Sequence, residues 1–327
     1  MNSKIPDNMN KKTIIIAGSG VFGTAIAERL AWNTENKVYI YSRNDDIVNE
    51  INENHKNSKS FSTRYINKRI KAFNDLEFFN KADCIFLAIP SKAILSFCTK
   101  IKDFVKEDTL IINLAKGMSN EGAFITEKLP FNRKASMKGP TFAIELLNGF
   151  PSAFTFGGNE KDYKIVKNSI LKNTALTLDY TKDIRAVELL SILKNMYAIA
   201  IGLVSGRYNS PNVDFLIYTK SVNEMRKFLE LFNCDSNTIF KYCGMGDLGL
   251  TSLNDLSRNR TLGLLVGKGF LQDNKSTTVI EGYRTIRLMY DKTKENHIEN
   301  EYPIVTALYK LMYKEEDLTE YIGSVFA

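Results

Sequence analysis

Six residues, Gly18-Ser19-Gly20-Val21-Phe22-Gly23, constrain this chain more than any other segment. They follow a β-branched apolar run, Lys12 to Ala17, and precede Ala25, Ile26, Ala27, Leu30 and Ala31, which recur at helical spacing. Strand, tight turn and helix in that order turn a weak glycine pattern into a dinucleotide-binding fingerprint. The first glycine makes the turn, the second lets the backbone approach a pyrophosphate, and the third lets helix and strand pack closely. The helix N-terminus supplies amide donors to the phosphate.

Further apolar runs, Lys37 to Tyr41, Cys84 to Ile89, Leu110 to Asn113 and Ala153 to Phe156, alternate with helical stretches. Such alternation implies an α/β fold, a doubly wound, mostly parallel sheet of Rossmann-like type. Near Tyr180 the pattern changes. Helical periodicity then dominates, over Asp183 to Gly202, Asp214 to Phe232 and Ile304 to Lys314. The expected organisation is a dinucleotide-binding domain over 1–180 and a mostly α-helical substrate-binding domain over 181–327. A cleft between two domains is where a ligand ordinarily binds.

At 327 residues, 44% hydrophobic and 25% charged, the chain has the composition of a globular protein rather than a disordered one. Its four cysteines form no CxxC pair and its two histidines are far apart, which speaks against a disulfide framework or a metal site. The formal charge of +7 is dispersed among acids, so a nucleic-acid partner is not expected. The most apolar segment, Ala186 to Val204, is broken by Glu188, Lys194 and Asn195 and does not read as a membrane span. The N-terminus lacks the apolar stretch of a secretory signal, so a cytoplasmic location is expected. A helix face in the second half leaves a homodimer open.

The cofactor choice turns on the end of the second strand, Tyr41-Ser42-Arg43-Asn44-Asp45. An acid there suits the ribose hydroxyl of NAD, and an arginine suits the 2′-phosphate of NADP. Arg43 tilts toward NADP, while Asp45 and Asp46 keep NAD open.

Oxidising a secondary alcohol, or reducing a ketone, needs a group that moves the hydroxyl proton. On a helix, Lys194 shares its face with Val187, Leu190, Tyr197, Ala198 and Ile201, so an apolar stripe carries one ammonium. Burial would lower its pKa toward the range of a general base; the alternative is a lysine that snorkels to solvent. Asp247 follows Gly244 and Gly246, a turn that can aim a carboxylate at Lys194, or it serves as a helix N-cap. Ser257-Arg258-Asn259-Arg260 groups donors suited to a phosphate, although charged loops of this kind are often merely solvated. Lys116 follows a strand, at the sheet edge where ligands bind, and Gly139-Pro140-Thr141 is a turn that could approach one.

In order along the chain, the glycine fingerprint, Ala88-Ile89-Pro90-Ser91, Ala115-Lys116-Gly117, Gly139-Pro140-Thr141-Phe142-Ala143 with Glu145, Leu193-Lys194-Asn195, Gly244-Met245-Gly246-Asp247-Leu248, Ser257-Arg258-Asn259-Arg260 and Ile280-Glu281-Gly282 resemble the bacterial-type NAD(P)-dependent glycerol-3-phosphate dehydrogenases. The resemblance implies reversible hydride transfer between NAD(P)H and dihydroxyacetone phosphate, giving sn-glycerol 3-phosphate for phospholipid synthesis. It implies Lys194 as the catalytic lysine and substrate contacts from Lys116, Gly139, Thr141, Asp247, Ser257, Arg258 and Asn259. Cofactor contacts would come from Ser19, Phe22, Lys116, Ala143, Arg258 and Glu281; by residue chemistry alone, Glu281 could equally be a first-turn helix acid. The segment Arg207 to Val213 departs from the family pattern, with Ser210 and Val213 at positions of glycine and alanine. The same architecture could also act on a hydroxy acid or hydroxyacyl thioester, or bind NADP as a sensor without turnover.

Overall fold

The computed structural model describes residues 11–118, 122–270, 281–314 and 317–326. Its strands are β1 (Lys12–Ala17), β2 (Asn36–Tyr41), β3 (Lys71–Phe73), β4 (Cys84–Leu87), β5 (Leu110–Asn113), β6 (Lys134–Lys138), β7 (Ser152–Gly157) and β8 (Leu176–Thr181). They form one sheet in the order β3-β2-β1-β4-β5-β6-β7-β8. The pairs β1–β2, β1–β4, β2–β3, β4–β5, β5–β6 and β7–β8 are parallel. Parallel strands need crossovers, and crossover helices cover both faces. Thus Ile14 and Ile16 of β1 enter one apolar core and Ile15 and Ala17 the other. The order reverses between β1 and β4, the switch point where such sheets bind ligands.

The helices between strands are α1 (Val21–Leu30), α2 (Asp45–Asn49), α3 (Ser91–Ile101), α4 (Ile125–Lys128), α5 (Ala143–Leu147) and α6 (Glu160–Ile165). β4 stops at Leu87, two residues short of the expected Ile89, because the chain turns to begin α3 behind Pro90, which has no amide to give a ladder. Three strands exceed the sequence expectation: β3, β6 and β8.

The chain divides into two compact units. The first holds the sheet, with residues up to Ala115, Ile125–Met137 and Thr141–Lys182. The second contains Asp183 onward together with two short inserts, Lys116–Phe124 and Lys138–Pro140, so a single cut near residue 180 does not describe it. The inserts belong there for a packing reason: Met118 and Phe124 are buried in the helical core.

The second unit is built on α7 (Ile184–Tyr208), capped by the Asp183 side chain and buried without a break from Ala186 to Ser205. Length and apolarity would let α7 cross a membrane, but that stretch is wholly enclosed by its own fold. Asn209 ends it in a left-handed conformation, and Pro211 opens α8 (Pro211–Leu231). The departure at 207–213 is therefore a helix-capping turn. α9 (Asp247–Ser252), α10 (Arg258–Gly267), α11 (Glu281–Glu295), α12 (Pro303–Tyr313) and α13 (Leu318–Phe326) complete the unit. α10 lies unusually close to α7: a Cβ on Gly202 would stand 2.4 Å from the Arg260 carbonyl oxygen, and one on Gly263 2.1 Å from that of Ile199. That contact brings the first turn of α10 to the middle of α7.

Glu224 on α8 is 4% exposed. Its carboxylate accepts from the Ile304 amide at 2.7 Å, at the start of α12, and from the Tyr197 hydroxyl at 3.0 Å. Burial pushes its pKa up to about 7, against the pull of those donors. The folded protein thus holds this proton more tightly than the unfolded chain, so stability from this group is full at low pH and is lost as pH rises through 7. Thermal melts should show wild type losing on the order of 3 kcal/mol relative to Glu224→Gln between pH 5 and pH 8. Parallel pH profiles for the two proteins would refute it.

Candidate active site

In the helical unit, three elements converge on one carboxylate. Asp247 opens α9 and is 1% exposed. Its Oδ1 accepts from Lys194 Nζ on α7 at 2.7 Å, and its Oδ2 from Lys116 Nζ at 2.9 Å. Lys194 also donates to Thr251 Oγ1 at 2.7 Å, and Lys116 approaches the Gly139 carbonyl oxygen at 3.5 Å. Asp247 and Thr251, one helical turn apart, present both acceptors to one ammonium. Pro140 holds the 138–140 turn against this site, 3.4 Å from where a Cβ on Gly246 would stand.

Lys194 is 5% exposed. Burial pushes its pKa far down, Asp247 opposing the fall and Lys116 adding to it. Burial also works to raise Asp247, but the two lysines outweigh it and leave the carboxyl below its ordinary value. These two results agree if Lys116 balances the carboxylate: the cluster is then neutral with Lys194 as a free amine, and one proton from turning cationic. A base poised near neutrality is what proton transfer to and from a substrate oxygen requires.

The first turn of α10 adds donors beside this cluster. Asn259 Nδ2 donates to Asn195 Oδ1 at 3.1 Å, next to Lys194 in sequence. Arg258 is exposed, whereas Ser257 is buried and its Oγ caps the helix by accepting from the Arg260 amide at 3.3 Å. The Arg260 guanidinium is spent on the Ser252 carbonyl, Ser205 and Asp255, so of this four-residue donor cluster Arg260 is structural. A Cβ on Gly282 would stand 3.0 Å from Asn259 Oδ1 and 3.2 Å from the Asn195 carbonyl, so glycine lets α11 start there. The side chain of Glu281 lies outside the described residues. Sequence reasoning missed Thr251; its only signal was the four-residue spacing from Asp247.

In the sheet unit, Gly18 has φ +128°, and a Cβ there would stand 2.6 Å from the Ala88 carbonyl oxygen. One on Gly23 would stand 2.2 Å from the Gly18 oxygen, while one on Gly20 would meet nothing within 4 Å. Two glycines are demanded by packing, and the third leaves an open cradle at the N-terminus of α1, as a pyrophosphate needs. Phe22 is half-buried behind this loop, and Ser19 Oγ donates to Ser42 Oγ at 2.9 Å. Arg43 is exposed at the end of β2. Asp45 and Asp46 start α2 instead, and Asp45 Oδ1 is taken by Asn74 Nδ2 at 2.6 Å. Thr141 is buried and Ala143 half-buried at the start of α5 in the same unit.

The chain matches the descriptions NAD-dependent glycerol-3-phosphate dehydrogenase N-terminus over residues 13–164 and C-terminus over 183–323. It belongs to that family. A glycerol-3-phosphate dehydrogenase [NAD(P)+] of Methanothermobacter thermautotrophicus is 31% identical over 315 residues, 94% of this chain and 96% of its own. The crystal structure of the Coxiella burnetii glycerol-3-phosphate dehydrogenase is 25% identical with a TM-score of 0.84, covering 97% of this chain and 99% of that one. The Plasmodium falciparum glycerol-3-phosphate dehydrogenase, 23% identical, has a TM-score of 0.87 over 96% of this chain and 95% of its own, a likeness of fold. Family membership spans both units.

Proposed function

We propose that the protein interconverts dihydroxyacetone phosphate and sn-glycerol 3-phosphate with NAD(P)H as the hydride source, feeding glycerophospholipid synthesis in the cytoplasm. The observation that carries this is the buried Lys194 amine held by Asp247 and Thr251. The glycine cradle, Ser19, Phe22, Arg43 and Ala143 would hold NAD(P)H, which supplies the hydride when bound; Lys116, Arg258 and Glu281 would complete its contacts. During reduction, protonated Lys194 gives its Nζ proton to the carbonyl oxygen while the carbonyl carbon gains the hydride, leaving an alcohol and a neutral amine. In oxidation the same amine takes the proton back. Asp247 holds Lys194 in register throughout. Lys116 offsets the negative charge of Asp247 and, with Gly139, Thr141, Ser257, Arg258 and Asn259, would grip the substrate and its phosphate.

A homodimer would use the helical unit, where Phe215 and Leu216 are 58% and 46% exposed; a monomeric mass in solution would remove that part.

The test follows NADPH and NADH oxidation at 340 nm with dihydroxyacetone phosphate. Turnover with neither cofactor, although both bind, would sink the proposal. Arg43 in place of a ribose-binding acid supports a preference for NADP. Arg43→Ala is expected to raise the KM for NADPH about tenfold, the loss of one charge-assisted hydrogen bond, and leave that for NADH nearly unchanged. Equal effects on both would remove Arg43 from the 2′-phosphate.

A further inference from the structure

A segment far from the glycine loop in sequence controls one of its carbonyl groups. The Ser19 oxygen accepts from Asn57 Nδ2 at 2.8 Å, from Ser60 Oγ at 3.0 Å and from Thr24 Oγ1 at 3.3 Å. Asn57 Nδ2 also donates to Thr24 Oγ1 at 2.9 Å, so two of the three donors are linked. A carbonyl oxygen has two lone pairs, and three donors saturate it. The segment that brings them is itself anchored: the Ser58 amide donates to Glu50 Oε2 at 2.9 Å, Ser58 Oγ donates to Glu50 Oε1, and the Ser60 and Phe61 amides donate to the Asn57 carbonyl.

The peptide joining Ser19 to Gly20 is planar and trans, so its carbonyl and its amide point in opposite directions. Fixing the Ser19 oxygen toward Asn57 and Ser60 therefore fixes the Gly20 N–H away from them. Gly20 is the glycine whose added Cβ would meet nothing within 4 Å, the open cradle of the loop.

Asn57 is fully buried, and its Oδ1 has no hydrogen-bond partner. An unsatisfied buried acceptor is costly, and an apolar residue of similar size would avoid the cost. What the asparagine provides in return is the amide donor that the Ser19 oxygen receives.

We propose that Asn57 and Ser60 are positioning residues that, through the Ser19 carbonyl, aim the Gly20 amide at the pyrophosphate of the dinucleotide. This rests on the dinucleotide function assigned above. Neither side chain touches the cofactor in this role; each acts through one peptide plane.

The test is calorimetric titration of the whole protein with two probes, NADPH and adenosine 2′-phosphate, which carries no pyrophosphate. Asn57→Leu is expected to raise the Kd for NADPH roughly tenfold, and Ser60→Ala several-fold, with adenosine 2′-phosphate binding unchanged. Because both act on one oxygen, the double variant should weaken NADPH binding by less than the product of the single effects. Equal weakening of both probes would mean a merely structural role and overturn the proposal, as would unchanged NADPH binding or strictly multiplicative effects. Ser60 is half-buried, so its alanine variant keeps the question answerable even where Asn57→Leu does not fold. Failure of the wild-type protein to bind NADPH would instead remove the dinucleotide function itself.

Discussion

Lys194→Met should lower kcat about a thousandfold in both directions, within the range that a positioned acid–base group contributes. Methionine keeps the unbranched shape of the side chain, with a sulfur in place of one methylene and no ammonium, and Asp247 retains Lys116 at 2.9 Å, so the fold should survive. Melting curves beside NADPH assays would separate lost chemistry from lost structure. A variant that keeps a tenth of wild-type turnover would exclude Lys194 as the proton carrier. The pH dependence has a definite sign. Folded Lys194 gives up its proton more readily than an ordinary lysine, so glycerol 3-phosphate oxidation by wild type should rise with pH well below 10.4, and reduction should fall over the same window. Stability from this group moves the other way from Glu224: the unfolded chain binds the proton more tightly, so stability increases with pH across that interval.

Asp247→Asn should be the second severe change, and the more informative about direction. Asn cannot balance two ammonium groups, so Lys194 would lose its attractive partner and shed its proton more easily still. Reduction, which needs the protonated form, should fall more than a thousandfold in kcat/KM, and oxidation less. Removing one partner of a buried charge cluster costs about 3–5 kcal/mol. The side chain of Lys116 is 24% exposed and can turn to solvent, which places the cost at the lower end. Denaturant unfolding and kinetics in both directions check this; equal losses in the two directions would mean that Asp247 only holds substrate.

Much of this was legible because the residues involved obey strong local rules. The turn after β1 must be glycine where backbone atoms leave no room, so Gly18 and Gly23 announce themselves. Lys194 is conspicuous as a charge inside an apolar stripe. What stayed hidden has physical causes. β6 reads Lys-Ala-Ser-Met-Lys, and its membership in the sheet depends on neighbours rather than on its own pattern. Arg260 looks like a ligand group by composition, but its guanidinium is taken by the Ser252 carbonyl, Ser205 and Asp255, and a structural arginine cannot be told from a binding one by residue type. Asn57 sits in a polar stretch without periodicity, and nothing local distinguishes a buried amide from a solvated one. Thr251 gains meaning only once Asp247 is known to begin a helix.

The inserts at 116–124 and 138–140 bear on how the protein is made. Lys116 leaves the ribosome 131 residues before the carboxylate it pairs with. At roughly 5–20 residues per second, that is a wait of about 7 to 26 seconds during which the sheet can form but the helical unit cannot close on its own pieces. A fragment starting at Asp183 would lack one of the two cations around Asp247, and a chimera joined near that residue would marry a carboxylate from one parent to a lysine from the other. Exchange of parts between relatives is therefore constrained by ion pairing across the junction as well as by where the chain looks divisible.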